Sequence, residues 1–93
     1  MASAALDTIA TDWARRGFSC DAWSDPPGQA WNDFTHATDE LVVVLEGEME
    51  FEIAGKIQHP RIGEELLNPA GRIHSVRNIS KRTARWLYGY KRT

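Results

Sequence analysis

Hydrophobic and polar positions divide the chain into one segment of helical period followed by many of period two. Within residues 4–16, Leu6, Ile9, Ala10 and Trp13 recur at helical spacing. The spacing predicts a short amphipathic helix, with Ser3 as its cap, Gly17 as its stop and an apolar stripe used for packing. From Phe18 the period shortens: Phe18, Cys20 and Ala22 alternate with Ser19, Asp21 and Trp23, until Asp25-Pro-Pro-Gly28 breaks the run. Residues 29–36 put Phe34 and His36 on one face, and a polar corner at 37–39 leads to Glu40, which opens the next strand. Leu41–Leu45 is apolar at every position. A strand of a half-exposed sheet would alternate, so this run needs cover on both faces, from the helix or from a second copy of the chain.

Glu46-Gly47-Glu48 is expected to be a hairpin turn. Met49, Phe51 and Ile53 then alternate with Glu48, Glu50 and Glu52, a half-buried strand that turns again at Ala54–Lys56. Pro60 weakens a strand over 57–62 and assigns it to an edge or bulge. Strands over 64–67, 73–77 and 83–90 follow, the last with Trp86, Tyr88 and Tyr90 at period two. Short strands separated by Gly/Pro turns make the fold class all-β, a barrel or a sandwich. Neither repeats nor low-complexity linkers interrupt it.

Ninety-three residues are enough for one domain, read as an N-terminal helix over 1–17 and a single β-barrel over 18–93. So short a chain buries roughly 60–65% of its unfolded surface, so barrel closure or a homodimer would add to its stability. The formal net charge of −2 and pI near 5.9 exclude a basic nucleic-acid surface. The C-terminal cluster of Arg72, Arg77, Lys81, Arg82, Arg85, Lys91 and Arg92 reads as a solvated face. Cys20 is the single cysteine, so neither a disulfide framework nor a cysteine zinc site is expected. With no signal-like start and no apolar run of ~18–20 residues, the reading is a soluble cytoplasmic protein without membrane contact.

The residues with the most chemistry are His36, Glu40 and His74. Pro69 fixes φ and Gly71 tolerates positive φ, so the chain can reverse and send His74 into the next strand. His36 and Glu40 flank the corner at 37–39, and a sheet closing on itself can bring His74 to them. Two imidazoles and one carboxylate with open positions suit one divalent transition metal: Fe, Mn, Ni, Cu or Zn. By residue type alone, a lone half-buried histidine is more often a satisfied structural group.

The spacing adds to this. Gly28-x5-Phe34-x-His36-x3-Glu40-x6-Gly47 resembles the first motif of the cupin superfamily, G-x5-H-x-H-x3,4-E-x6-G. Gly63-x5-Pro69-x-Gly71-x2-His74-x3-Asn78 meets every position of the second, G-x5-P-x-G-x2-H-x3-N. Fifteen residues separate the motifs, as in compact members, and Asp39–Glu48 looks like their central hairpin. The resemblance covers roughly residues 18–90. It implies a jelly-roll β-barrel with His36, Glu40 and His74 as metal ligands inside. Phe34 departs from the pattern, standing where most metal-binding members have their first histidine. The site then keeps three ligands with an extra open position, or binds metal weakly, or becomes a metal-free apolar pocket with Phe34 as its floor.

Two classes of function follow. One is a small metalloenzyme, a metal-dependent dioxygenase, isomerase or decarboxylase acting on a small molecule. The other is a non-catalytic module that binds or senses a small molecule, with a degenerate or empty metal site. A metal-stabilised dimer without substrate is a third reading, and no side chain stands out as a general base. Asn32 and Asn78 are candidates to orient the imidazoles, Asn78 more as a structural tie for its strand. His59 is expected to be exposed and not a ligand, and Cys20 a small core residue on the inward face of its strand. Trp23, Trp31, Trp86, Tyr88 and Tyr90 serve packing, a pocket wall or an interface, and a homodimer is expected through the 41–45 strand.

Overall fold

Helix α1 (Ala2–Arg15) precedes eight strands: β1 (Asp21–Asp25), β2 (Ala30–Phe34), β3 (Glu40–Glu46), β4 (Met49–Ile53), β5 (Lys56–Gln58), β6 (Glu65–Asn68), β7 (His74–Asn78) and β8 (Ala84–Tyr90). The computed structural model describes residues 2–92, with side chains from Leu6 onward. The strands form two antiparallel sheets, in the orders β1-β8-β3-β6 and β2-β7-β4-β5. This is the expected all-β jelly-roll barrel with a short N-terminal helix.

The doubly apolar run in β3 has cover on both faces. Val42 and Val44 face the barrel interior with Met49, Phe51, Val76 and Ala84. Leu41 and Val43 face outward with Leu87 and are packed beneath Trp13 and Phe18, with Leu6 and Ile9 of α1 alongside. Both edges of β3 are also taken, by β8 and β6. The helix therefore supplies the outer cover of β3 within one copy of the chain. In β4 the alternation holds: Met49, Phe51 and Ile53 are buried, and Glu50 and Glu52 point out to Arg77 at 3.0 Å each.

Gly17 ends the helix as its spacing predicts. At a φ of 86° its N–H donates to the Ala14 carbonyl, while the Phe18 N–H donates to that of Trp13. This left-handed cap turns Phe18 back onto Trp13. The indole of Trp13 donates to Glu65, which also takes the Arg16 guanidinium, so α1 is tied to β6 by polar as well as apolar contacts. The helix begins at Ala2, so Ser3 lies within it instead of capping it.

Four other expectations change. Glu46–Glu48 is not a hairpin: β3 and β4 belong to different sheets, and the turn is a corner between them. Gly47 fits it by its φ of 84° and because a Cβ there would meet the Ala84 Cβ at 2.9 Å. The strand over 29–36 stops at Phe34, after a bulge between Trp31 and Phe34 that includes Asp33 at a φ of 60°. The strand over 57–62 stops at Gln58, before Pro60, and Ile62 makes one isolated bridge to Val44. Cys20 is a partly buried core residue, but it packs on the helix side; Trp23, two residues into β1, stands on the other side, at the open mouth of the barrel. Among the described residues no helix is long and apolar enough to cross a membrane.

Candidate metal centre

His36 lies just past the end of β2, Glu40 opens β3 and His74 opens β7. Main-chain pairing explains why three separated residues meet. Phe34 is registered opposite His74, and Glu40 lies between Asn68 and Tyr90. The turn after Pro69 is stitched to the loop carrying His36, with the Gly71 N–H donating to the His36 carbonyl at 2.9 Å and the Ala70 N–H to Asp39 Oδ1 at 2.8 Å. Pro69 and Gly71 thus act on both histidines at once. Gly63 and Gly28 are tied similarly, their N–H groups donating to the carbonyls of Val44 and Asn78.

Both imidazoles aim Nε2 at one oxygen. Glu40 Oε1 is 3.6 Å from His36 Nε2 and 3.8 Å from His74 Nε2, and the two rings are 4.6 Å apart. These separations are too long for hydrogen bonds. Ligand bonds of ~2.0–2.2 Å to a shared ion place adjacent donor atoms roughly 3–3.6 Å apart, so both Glu40–histidine separations lie within a few tenths of an ångström of that range. All three ligand atoms lie within 4.8 Å of one another.

The electrostatics point the same way. Burial lowers the pKa of His36. It lowers that of His74 too, helped by His36 and opposed by the backbone carbonyls of Arg72 and Phe34. Both rings therefore favour the neutral form that a metal requires. Burial raises the pKa of Glu40, partly offset by the amide of Asn68, which donates to Oε1 at 3.0 Å. His74 is only 5% exposed, yet its Nδ1 makes no hydrogen bond of good geometry.

Asn68 is the neighbour that steadies Glu40, whereas the sequence had offered Asn32 and Asn78 to orient the imidazoles. Asn32 is exposed. Asn78 donates to the carbonyls of Asp25, Pro26 and Arg82 and accepts from Ser80, which makes it the expected structural tie. His59 is exposed and paired with Glu50 at 3.1 Å, away from the centre, as expected.

The three groups open into a cavity of about 290 Å³. Val76 and Trp86, both buried, form its inner wall, and Tyr88 and Tyr90 continue along β8. Burial, with help from Glu40, pushes the Tyr90 hydroxyl up to about 12, so it stays a hydrogen-bond donor. Phe34 lines the cavity but is 39% exposed, tilted between Trp31 and His74 at ring distances of 6.2 and 6.0 Å. It stands at the rim and is not the floor. The bulge in β2 is the reason, since it breaks the period and brings Trp31 to the same wall.

Asp25 was legible only as part of a chain-breaking turn. It is 1% exposed, and three indoles converge on it: Trp23 and Trp31 donate to Oδ1 at 2.9 and 3.0 Å, and Trp86 to Oδ2 at 3.0 Å. An acceptor-only carboxylate suits three N–H donors. A nearby cluster of tryptophans in sequence was the only available signal.

Residues 23–90 match the Cupin domain family. No curated protein matches the chain in sequence. Solved structures share its fold. The Schizosaccharomyces pombe Cnp3 cupin domain is 18% identical with a TM-score of 0.75, over 83% of this chain and 57% of that one. The cupin domain of an XRE family transcriptional regulator from Enterobacter cloacae is 23% identical, TM-score 0.74, over 87% and 88%. An oxalate oxidase bound to the substrate analogue glycolate is 24% identical, TM-score 0.70, over 82% and 42%. The chain spans less than two thirds of the first and the last of these.

Proposed function

The chain belongs to the cupin domain family, and from that premise we propose that it holds one divalent transition metal through His36, Glu40 and His74, beside a chamber for a small organic ligand. The convergence of two neutral imidazoles and a buried carboxylate within 4.8 Å, with no cationic side chain among them, carries this reading. An Fe, Mn, Ni, Cu or Zn ion bound there would supply Lewis acidity, or redox chemistry where the metal allows it. The chain's own part is to hold the ligands and exclude water. Asn68 orients the Glu40 carboxylate, Tyr90 offers a hydroxyl proton to a ligand oxygen, and the aromatic walls dry the cavity. Dioxygenation, isomerisation or decarboxylation of a small acid is the class of reaction proposed, supported by likeness to an oxalate oxidase.

The second reading is a binding or sensing module that turns nothing over. Phe34 in the place of a fourth ligand favours it, as does likeness to the cupin domain of a transcriptional regulator. Elemental analysis of the purified protein, beside a His36→Ala/His74→Ala variant, tests the metal. A stoichiometric transition metal, lost in the variant with the fold intact by circular dichroism, is expected. Absence of metal from the wild type, even after incubation with Fe, Ni or Zn, would overturn the centre. Oxygen consumption with small chelating acids then separates enzyme from module.

A further inference from the structure

The cavity has two chemically different ends. Trp86, Tyr88 and Tyr90 lie on one face of β8, and at ~3.3 Å per residue this row spans about 13 Å. Tyr90 touches the His36 ring at 4.9 Å and marks the ligand cluster. Trp86 marks the other end, where its indole joins those of Trp23 and Trp31 on the buried Asp25 carboxylate. Among the described residues, none that line the cavity is a lysine or arginine.

We propose that the indole end of this chamber is a receptor for a small organic cation, a quaternary or methylated ammonium group. A cation is attracted to an aromatic face through the ring quadrupole, and tryptophan is the strongest of the three aromatics. Here three indoles donate their N–H groups to one carboxylate, which fixes the rings in advance and polarises them so that their faces become more negative. Two of the rings are held open to solvent, Trp23 at 45% and Trp31 at 37% exposed, although apolar neighbours in the same barrel are buried. A diffuse, weakly hydrated ammonium gains from such faces and from the charge behind them. An anion would meet the Asp25 charge and no basic side chain, and a neutral apolar ligand would draw nothing from it.

The inference deepens the metal-centre reading and rests on it for the cavity's role as the ligand site. The indole end itself needs no ion, so the two can fail separately. The test is calorimetric titration of the metal-stripped and the Ni-loaded protein with choline and with its neutral isostere 3,3-dimethylbutan-1-ol. Choline is expected to bind about ten-fold more tightly than the isostere in both forms. Trp31→Leu, at a half-exposed position that leaves the packed core untouched, should remove most of that preference, and Asp25→Asn should narrow it. Equal binding of the two ligands, or no binding of choline, would overturn the proposal even if nickel binds stoichiometrically. A choline preference in a protein that takes up no metal would uphold it while the metal centre fell.

Discussion

Phe51 and Phe34 belong to the same sheet of the same barrel, yet one is 2% exposed and the other 39%. Phe51 lies among Val42, Val44, Met49 and Ala84, where the interior is filled with side chains. Phe34 stands at the mouth with Trp23 and Trp31, where the interior is left empty. Burying apolar surface is the main drive to fold, at roughly 25 cal/mol per Å². Aromatic rings held at an open mouth forgo that gain. The filled half accounts for stability, and the open half, with His36, Glu40, His74 and Asp25, is available for binding.

The comparison is sharpened most by making the same change in both halves. Phe51→Ala should cost about 3–5 kcal/mol through the cavity it leaves, whereas Phe34→Ala should cost under about 1 kcal/mol, both read as urea midpoints. If the two were equally destabilising, the division would be wrong. Asp25→Ala crosses the divide. It strands the buried indole N–H of Trp86, while Trp23 and Trp31 can turn to water, so about 2–4 kcal/mol should be lost, with a red shift of tryptophan emission. Asn68→Ala should weaken metal binding by about 10–100-fold in equilibrium dialysis, with the far-ultraviolet spectrum unchanged.

The smallest effect is on pH dependence without metal. His36 and His74 lie below the ordinary imidazole value of 6.5 when folded. As pH falls through that value the unfolded chain takes up protons first, so stability should decline from pH 8 to pH 6. Glu40 has the opposite sign: its raised pKa contributes stability in acid that is lost as pH rises from the ordinary carboxylate value of 4.5. The histidine slope should therefore dominate near neutrality and flatten in His36→Ala/His74→Ala. Urea midpoints at pH 6, 7 and 8 in EDTA would show it.

Much of this division was legible in the chain. The change from Leu41–Leu45 to the alternating Met49–Ile53 distinguishes a sheet covered on both faces from one covered on a single face, and motif spacing picked out His36, Glu40 and His74. What local pattern could not carry was register. Asn68 meets Glu40 only because β6 pairs with β3, and Asp25 reaches Trp86 across sixty-one residues. The bulge at Asp33 puts Trp31 and Phe34, three residues apart, on one wall, which strict alternation forbids. Gly47 marked a turn correctly, but the same residue serves a hairpin or a corner between sheets, and only the partners of β3 and β4 decide.

The most direct test of the central claim is thermal melting of the wild type and of His74→Ala, each in EDTA and with excess Ni²⁺. In EDTA both should melt cooperatively, His74→Ala at the lower temperature because a buried ring is lost. Nickel at ~100 times its dissociation constant adds about 2.7 kcal/mol to a state that binds it, so the wild type should gain roughly 10 °C or more and His74→Ala almost nothing. An equal gain in both, or a wild type that does not fold in EDTA, would contradict a barrel that is stabilised by its filled half and binds metal in its open one.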